Sequence, residues 1–333
     1  MKTIYYIIFA LVAYIISSCQ SELVSPTKKA APLDIFEQVW KAIDEKYSYL
    51  EYKSIDWDSL GSVYRQQVDN SISEDSLFNV LGRMLFNLKD GHVNLRSEFN
   101  VSRNWEWFLD YPQNFDLGLL QRNYLSDFRK TNNLVHKQIK GVGYVYYQSF
   151  GTVVSDHDMD YIISLYKNTK GLIIDVRNNG GGQAKNAFTI LNHLSSSPTL
   201  VGVTYEKSGP AHDDFGKPTE LWTRPQDDGE KYLGKVILLT NRSCYSATSH
   251  FVAWAQALPN VTVIGDWTGG GGGVPTSIQL SNGWILRYSS TIEENANGFN
   301  IENGTPPDIN VNMDDKDAVE GRDTILETAL YVF

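Results

Sequence analysis

A chain of 333 residues is long enough for one large domain or two smaller ones. Hydrophobic residues make up 42% of the chain and charged residues 20%, a composition typical of an ordinary globular protein. The net charge of −10 argues against a nucleic-acid-binding surface, because such a surface needs clustered lysines and arginines.

The amino terminus has the pattern of an export signal. Lys2 supplies a positive charge, and the apolar run over residues 4–16 is too short for a typical membrane span. The small residues that precede Cys19 resemble the lipobox of bacterial lipoproteins. This pattern predicts a signal peptide over residues 1–18 and a lipid on the Cys19 thiol. The alternatives are a plain signal peptide with a chance cysteine and a retained anchor helix.

A polar, proline-containing stretch over residues 19–32 is expected to be a flexible tether between the lipid and the folded protein. Cys19 is followed by Gln20 rather than by aspartate, which favours the outer membrane over retention in the inner membrane. We therefore expect a lipid-anchored protein of the bacterial cell envelope. With Cys19 acylated, Cys244 has no partner for a disulfide, and no cysteine–histidine cluster has zinc-ligand spacing.

Three helices are predicted after the tether. Apolar residues recur at helical spacing from Pro32 onward, over Trp57–Val68 and over Glu74–Leu88. These helices define a small N-terminal helical subdomain over residues 33–95. Residues 96–140 are rich in aromatic residues and asparagine, and no element is predicted there.

Strands and helices alternate from Gly141 onward. The predicted elements are strand 142–150, helix 156–168, strand 172–176, helix 184–195, strand 236–240, helix 246–257 and strand 261–264. Short, fully apolar strands are typical of buried parallel sheets, and this alternation indicates right-handed βαβ units. A β-hairpin is expected over residues 274–291. Residues 96–333 are therefore predicted to form an α/β core.

Three segments follow the pattern of active-site loops at the ends of strands. The glycine-rich residues 175–182 can present backbone N–H groups to an oxyanion, although a tight turn would use the same glycines. Residues 241–249 lead from a strand into a helix and place Ser246 at the helix start, where an N-cap serine is the alternative. Glu302 precedes the Gly/Pro turn of residues 301–309, where an exposed loop carboxylate is the alternative.

Together with two further motifs, these segments resemble the C-terminal-processing (tail-specific) peptidase family, which includes the photosystem D1-processing enzyme and the core of the tricorn protease. The similar motifs are, in chain order, DVRNNGGG, CYSATS, GDWTGGGGG, IENGTPPDI and KDAVEGRDTILETA. The last motif, residues 316–329, is expected to form one closing helix. The resemblance covers about residues 80–330. It implies a crotonase/ClpP-like core, a peptide or protein substrate, and acyl transfer without metal or cofactor.

The family has two branches, which differ in the base that activates the serine. In the Ser–Lys branch a lysine stands where this chain has Gly271, and no lysine lies between Lys235 and Lys316. The tricorn-like branch uses a histidine from an earlier segment. The residues KDGH that end at His92 resemble that histidine motif, so the resemblance is to the tricorn-like branch.

By this resemblance, Ser246 is the nucleophile, His92 is the base and Glu302 is the carboxylate that orients the imidazole. The chemistry needs such a set, because a serine hydroxyl is a weak nucleophile near neutral pH until an imidazole takes its proton. The resemblance also implies that the backbone N–H groups of Gly182 and Ala247 form the oxyanion hole.

Some features depart from the family pattern. His250 lies one turn beyond the candidate nucleophile on the same predicted helix and is the rival base. The family motif usually has a glutamate at the position of Ser249, and some tricorn-like members have a serine at the position of Gly91. Residues 93–140 are too few for the PDZ domain that many relatives carry, so the substrate must reach the site by another route.

Two other functions are open on the same architecture. A non-catalytic ligand- or peptide-binding lipoprotein would keep the scaffold without hydrolysis, since a fold does not settle a function. A crotonase that handles acyl-CoA would share the sheet, but it would be cytoplasmic, which the lipobox disfavours.

Replacing Cys19 with alanine tests the lipid anchor. Without the thiol the lipid has no attachment point, so Cys19→Ala should enter the soluble periplasmic fraction or stay unprocessed. Metabolic labelling with palmitate should mark the wild type and the control variant Cys244→Ala, but not Cys19→Ala. Label that persists in Cys19→Ala would contradict the anchor.

Overall fold

The computed structural model describes residues 30–104 and 111–333. The predicted signal peptide, Cys19 and most of the predicted tether lie outside these described residues. Within them, no helix is both long enough and apolar enough to span a membrane.

The described elements follow the predicted order from the first helix to the last. The helices are α1 Pro32–Lys46, α2 Trp57–Arg65, α3 Glu74–Phe86, α4 Leu117–Asn123, α5 Asp156–Tyr166, α6 Ala184–Leu194, α7 Ala247–Ala255, α8 Asp315–Val319 and α9 Thr324–Tyr331. The strands are β1 Asn94–Arg96, β2 Arg129–Thr131, β3 Leu134–Ile139, β4 Val142–Tyr147, β5 Leu172–Asp175, β6 Leu200–Glu206, β7 Thr219–Trp222, β8 Val236–Thr240, β9 Val261–Gly265, β10 Pro275–Gln279, β11 Ile285–Ser289, β12 Thr291–Asn295 and β13 Ile309–Asn310.

A seven-stranded sheet with the order β13-β9-β8-β5-β4-β3-β2 forms the centre of the fold. Strands β4, β5, β8, β9 and β13 run parallel to one another, which confirms the predicted α/β core, and β3 and β2 add an antiparallel edge. Apolar side chains of α5, α6 and α7 cover one face, and those of α4 and α9 cover the other. Because β4, β5, β8 and β9 are covered on both faces, their sequences read as continuous apolar runs.

The N-terminal helices share their hydrophobic core with a hairpin from the far end of the chain. Strands β10 and β11 form the predicted hairpin, and β1 pairs with β11 to make a three-stranded antiparallel sheet. Leu280, Trp284, Leu286 and Tyr288 of the hairpin pack into one cluster with α1, α2 and α3. The boundary between the helical subdomain and the α/β core at residues 95 and 96 stays a prediction. The hairpin, although it lies far along the chain, packs with the N-terminal helices.

The closing segment is two helices rather than the single helix predicted over residues 316–329. Gly321 has a φ of +78°, a left-handed conformation that ends α8. Asp323 then caps α9 by accepting a hydrogen bond from the Leu326 amide. Its carboxylate also pairs with the fully buried guanidinium of Arg177, which is paired with Asp175 as well. These ion pairs attach α9 to the end of β5, next to the glycine-rich loop.

Candidate active site

Ser246 occupies the turn between β8 and α7 in a strained backbone conformation. Its φ is 56° and its ψ is −125°, values that a residue with a side chain rarely adopts. Its hydroxyl makes no capping hydrogen bond to α7, which argues against the N-cap interpretation. The backbone amide of Ser246 donates a hydrogen bond to the Gly270 carbonyl at 2.8 Å, and this bond fixes the turn.

The imidazole of His92 lies against the Ser246 hydroxyl, with 3.0 Å between Nε2 and Oγ. His92 follows α3 in a tight turn in which its amide donates to Asp90 Oδ1 at 2.7 Å. Its ring is buried and meets the Tyr245 ring edge-on, with 5.1 Å between centroids. Burial lowers the pKa of His92 to about 4, although the negative charge of Asp90 opposes this shift. The imidazole is therefore neutral near pH 7 and able to accept the serine proton.

Glu302 is buried at the site, but it does not contact His92 directly. Its Oε1 accepts a hydrogen bond from Lys53 Nζ at 2.5 Å, and its Oε2 accepts one from the Gly272 amide at 2.9 Å. Among the described residues, His92 Nδ1 has no well-directed hydrogen-bond partner, and protonation of the ring is favoured by the charge of Asp90 and, to a smaller extent, by the Gly273 backbone. The direct contact expected of an orienting carboxylate is therefore absent. The two glycines between these groups separate the carboxylate from the ring.

Asp90 and Lys53 are site residues that the sequence analysis missed. Asp90 is fully buried and accepts a hydrogen bond from the Ser289 hydroxyl at 2.8 Å. Burial acts to raise the pKa of Asp90, but the charges of Lys53 and His92, with the hydrogen bonds, outweigh it and lower the pKa. Its position two residues before His92 was a usable signal. No local pattern marks Lys53, which only the folded chain brings to the site.

The glycine-rich loop after β5 packs directly against the nucleophile. A Cβ atom on Gly181 would lie 2.9 Å from Ser246 Cβ and 3.1 Å from the Ala247 amide nitrogen, so only glycine fits. Ala247 is the first residue of α7, and its amide therefore has no acceptor within the helix. Gly182 is equally crowded, because a Cβ there would lie 2.1 Å from the Gly151 nitrogen. The oxyanion hole formed by the Gly182 and Ala247 amides stays a prediction.

Among the described residues, the rival bases make no hydrogen bond to the Ser246 hydroxyl. The rival His250 bonds through Nε2 to the Gly272 carbonyl at 2.9 Å. Gly271, where the Ser–Lys branch has its lysine, has a φ of +76°, and a Cβ there would lie 2.4 Å from Tyr245 Cζ. The ring of Tyr245 thus fills the space that a lysine at this position would need.

Comparisons with known proteins identify the family of this chain. The model of peptidase family S41 matches residues 141–311, and the Tricorn protease C1 domain model matches residues 29–86. A solved structure of a candidate peptidase from Parabacteroides merdae is 40% identical, with a TM-score of 0.87, covering 91% of this chain and 96% of that one. The chain belongs to peptidase family S41. It is a serine peptidase, and the resemblance to the C-terminal-processing family is confirmed.

More distant structures share the fold. Mature CPAF has 12% identity and a TM-score of 0.70, covering 90% of this chain and 95% of that one. The photosystem II D1 C-terminal processing protease has 13% identity and a TM-score of 0.52, covering 85% of this chain and 94% of that one.

Introducing a side chain at Gly271 should disturb the site more than the same change elsewhere. Gly271→Ala places a methyl group against Tyr245, whose ring contacts His92, so labelling of Ser246 by a fluorophosphonate should slow by about tenfold or more. Gly298→Ala is the matched control, since Gly298 has a φ of 77° but nothing within 4 Å of a Cβ. Both variants should lose roughly 1–2 kcal/mol of stability from backbone strain. Equal labelling rates of the two variants would contradict the crowding at Gly271.

Proposed function

We propose that this peptidase cleaves its substrates by acyl transfer to Ser246, with His92 as the general base. His92 Nε2 accepts the hydroxyl proton as Oγ attacks the carbonyl carbon, and the amides of Gly182 and Ala247 stabilise the oxyanion. The protonated imidazole then gives its proton to the leaving amine, and water hydrolyses the acyl-enzyme. The observation that carries this proposal is the 3.0 Å contact between Nε2 and Oγ.

Glu302 acts in this proposal through the backbone rather than by touching the imidazole. Its Oε2 holds the Gly272 amide, and the next residue, Gly273, faces the ring of His92. Asp90 supplies the nearest negative charge, which favours the imidazolium that forms as Ser246 loses its proton. Orientation and charge, which one carboxylate provides in the usual triad, are thus divided between Glu302 and Asp90.

The protein would do this work at the cell envelope. We infer lipidation at Cys19 and an outer-membrane location from the lipobox-like residues and from Gln20. A lipid anchor followed by a tether would keep the peptidase at the membrane surface.

Removing either reacting group should abolish covalent labelling. Ser246→Ala lacks the nucleophile, and His92→Ala leaves its hydroxyl without a base, so each should lower fluorophosphonate reactivity on the order of 10³-fold or more. Intact mass spectrometry measures the adduct. Ser249→Ala is the matched control, because the hydroxyl of this buried serine on the same helix donates to the Cys244 carbonyl rather than to Ser246 or His92. Folded wild-type protein that is not labelled would favour the non-catalytic binding function.

The acid side of the pH–rate profile should have two steps. Burial and the charge of Asp90 raise the pKa of Glu302 to about 7, against the opposing charge of Lys53. As the pH falls, Glu302 should gain a proton first, with a partial loss of labelling rate near pH 7. His92, with a pKa of about 4, should gain a proton later, with complete loss.

Glu302→Gln separates the two steps. It should lower the rate at pH 8, remove the step near pH 7 and keep the step near pH 4. Circular dichroism over the same pH range checks that the protein stays folded. A single step near pH 6.5 in both proteins would mean that His92 titrates as an exposed histidine, in conflict with its buried position.

A further inference from the structure

Lys53 enters the active site from the turn between α1 and α2. Its Nζ donates to the Leu88 carbonyl at 3.0 Å, to the Lys89 carbonyl at 3.1 Å and to Glu302 Oε1 at 2.5 Å. These three acceptors use all three N–H bonds of an ammonium group. The side chain is only 9% exposed, so it is held in one place by the protein rather than by solvent.

These bonds join two chain segments that are far apart in sequence. Leu88 and Lys89 end the turn after α3 and lead into Asp90 and His92, and Lys89 has a φ of +44°. Glu302 lies on the loop after β12 and holds the Gly272 amide. One ammonium thus fixes the segment that carries the base relative to the segment that supports it.

The charge of Lys53 also balances the buried carboxylates. Glu302 is 2% exposed and Asp90 is fully buried, and each raises the cost of ionising the other. A buried carboxylate needs a partner to remain charged. Lys53 supplies one positive charge against the two carboxylates, and the half-buried guanidinium of Arg287 supplies a second positive charge that acts on Asp90.

We propose that Lys53 is a positioning residue of the peptidase: its ammonium joins the His92 segment to the Glu302 loop and keeps Glu302 negatively charged during catalysis. This proposal rests on the proposed roles of Ser246, His92 and Glu302. By this proposal, the N-terminal helical region contributes a positioning residue to the active site.

Among the other groups around this cluster, His250 titrates in the range of His92, because burial lowers the pKa of His250 to about 4 as well, whereas the tyrosines do not titrate there. Besides Glu302 and Asp90, Lys53 faces the rings of Tyr47 and Tyr49 at 5.9 and 5.8 Å, and Tyr52 lies nearby. Burial raises the pKa of each of these tyrosines, which therefore stay neutral below pH 10. The groups that act on His92 or lie against it are Asp90, Arg287, Lys53, Tyr245 and His250.

Lys53→Met tests the proposal through the rate of fluorophosphonate labelling as a function of pH. Loss of the positive charge raises the pKa of both Glu302 and His92, so the acid steps should move to higher pH. At pH 7 labelling should be about 10- to 100-fold slower. A purely structural defect would lower the rate at every pH without moving the steps.

Two further variants separate charge from packing. Lys53→Arg keeps the charge and should keep the acid steps near their wild-type positions. The double variant Lys53→Met/Glu302→Gln removes both charges, so it leaves no unpaired buried ion and should fold even if Lys53→Met does not. Because the two residues act as a unit, the double variant should be about as slow as Glu302→Gln alone. Lys167→Met, which breaks an exposed ion pair with Glu230, is the matched control and should match the wild type.

The outcomes distinguish this proposal from the proposed function. Wild-type protein that is labelled only at Ser246, together with folded Lys53→Met that keeps the wild-type rate and acid steps, would overturn the role of Lys53 alone. Labelling of the double variant at the wild-type rate would overturn the proposed role of Glu302 and, with it, that of Lys53. Wild-type protein that is not labelled at all would overturn the proposed function and the role of Lys53 with it.

Discussion

The hydrogen bond between His92 Nε2 and Ser246 Oγ joins two parts of the fold that are built separately. Ser246 lies in the turn that follows β8 of the parallel sheet, where its amide is bonded to the Gly270 carbonyl. His92 belongs to the helices and hairpin, which have their own hydrophobic cluster. The 3.0 Å distance therefore depends on how these two cores are held together. Any change that shifts one core against the other acts on the nucleophile and its base at once.

Backbone crowding around the nucleophile explains the glycines of the active site. Gly181 packs against Ser246, and a Cβ on Gly270 would lie 2.0 Å from the Glu302 carbonyl oxygen. Four chain segments thus meet with no room for side chains between them. This density leaves no space for a lysine at Gly271, and in the proposed mechanism it brings backbone amides to the reacting carbonyl. The base and the supporting charges must therefore come from other parts of the chain.

The protonation state of the His92 imidazole depends on the buried charged groups around it. Asp90 lies beside His92 and favours its protonated form, while burial opposes that form. Glu302 reaches the ring only through Gly272 and Gly273, and its own charge depends on a cation. The attraction between opposite charges is strongest where water is excluded, so a few buried charged groups can set the pKa of one imidazole. The arrangement differs from a triad in which a single carboxylate both holds the base and balances its charge.

The amino-acid sequence by itself determined the central elements and the reacting pair. The apolar runs of β5 and β8 predicted buried parallel strands, and the predicted bounds of β8 are those observed. Ser246 and His92 were assigned from motifs, and they lie together. Local patterns succeed here because a strand that is buried on both faces is apolar throughout, and a tight turn requires glycine. Both features can be seen in the sequence itself.

The tertiary structure alone decided the partners of Glu302 and the position of Lys53. The helix α4 and the strands β1, β2, β3, β6, β7, β12 and β13 were also missed. For β1, β2 and β13 the reason is that two- and three-residue strands carry too little periodicity to be recognised. A carboxylate in a loop can bond whichever groups the fold brings near, and Lys53 and Gly272 come from opposite ends of the chain. Contacts at such sequence separations leave no local pattern, because they are set by the packing of whole elements.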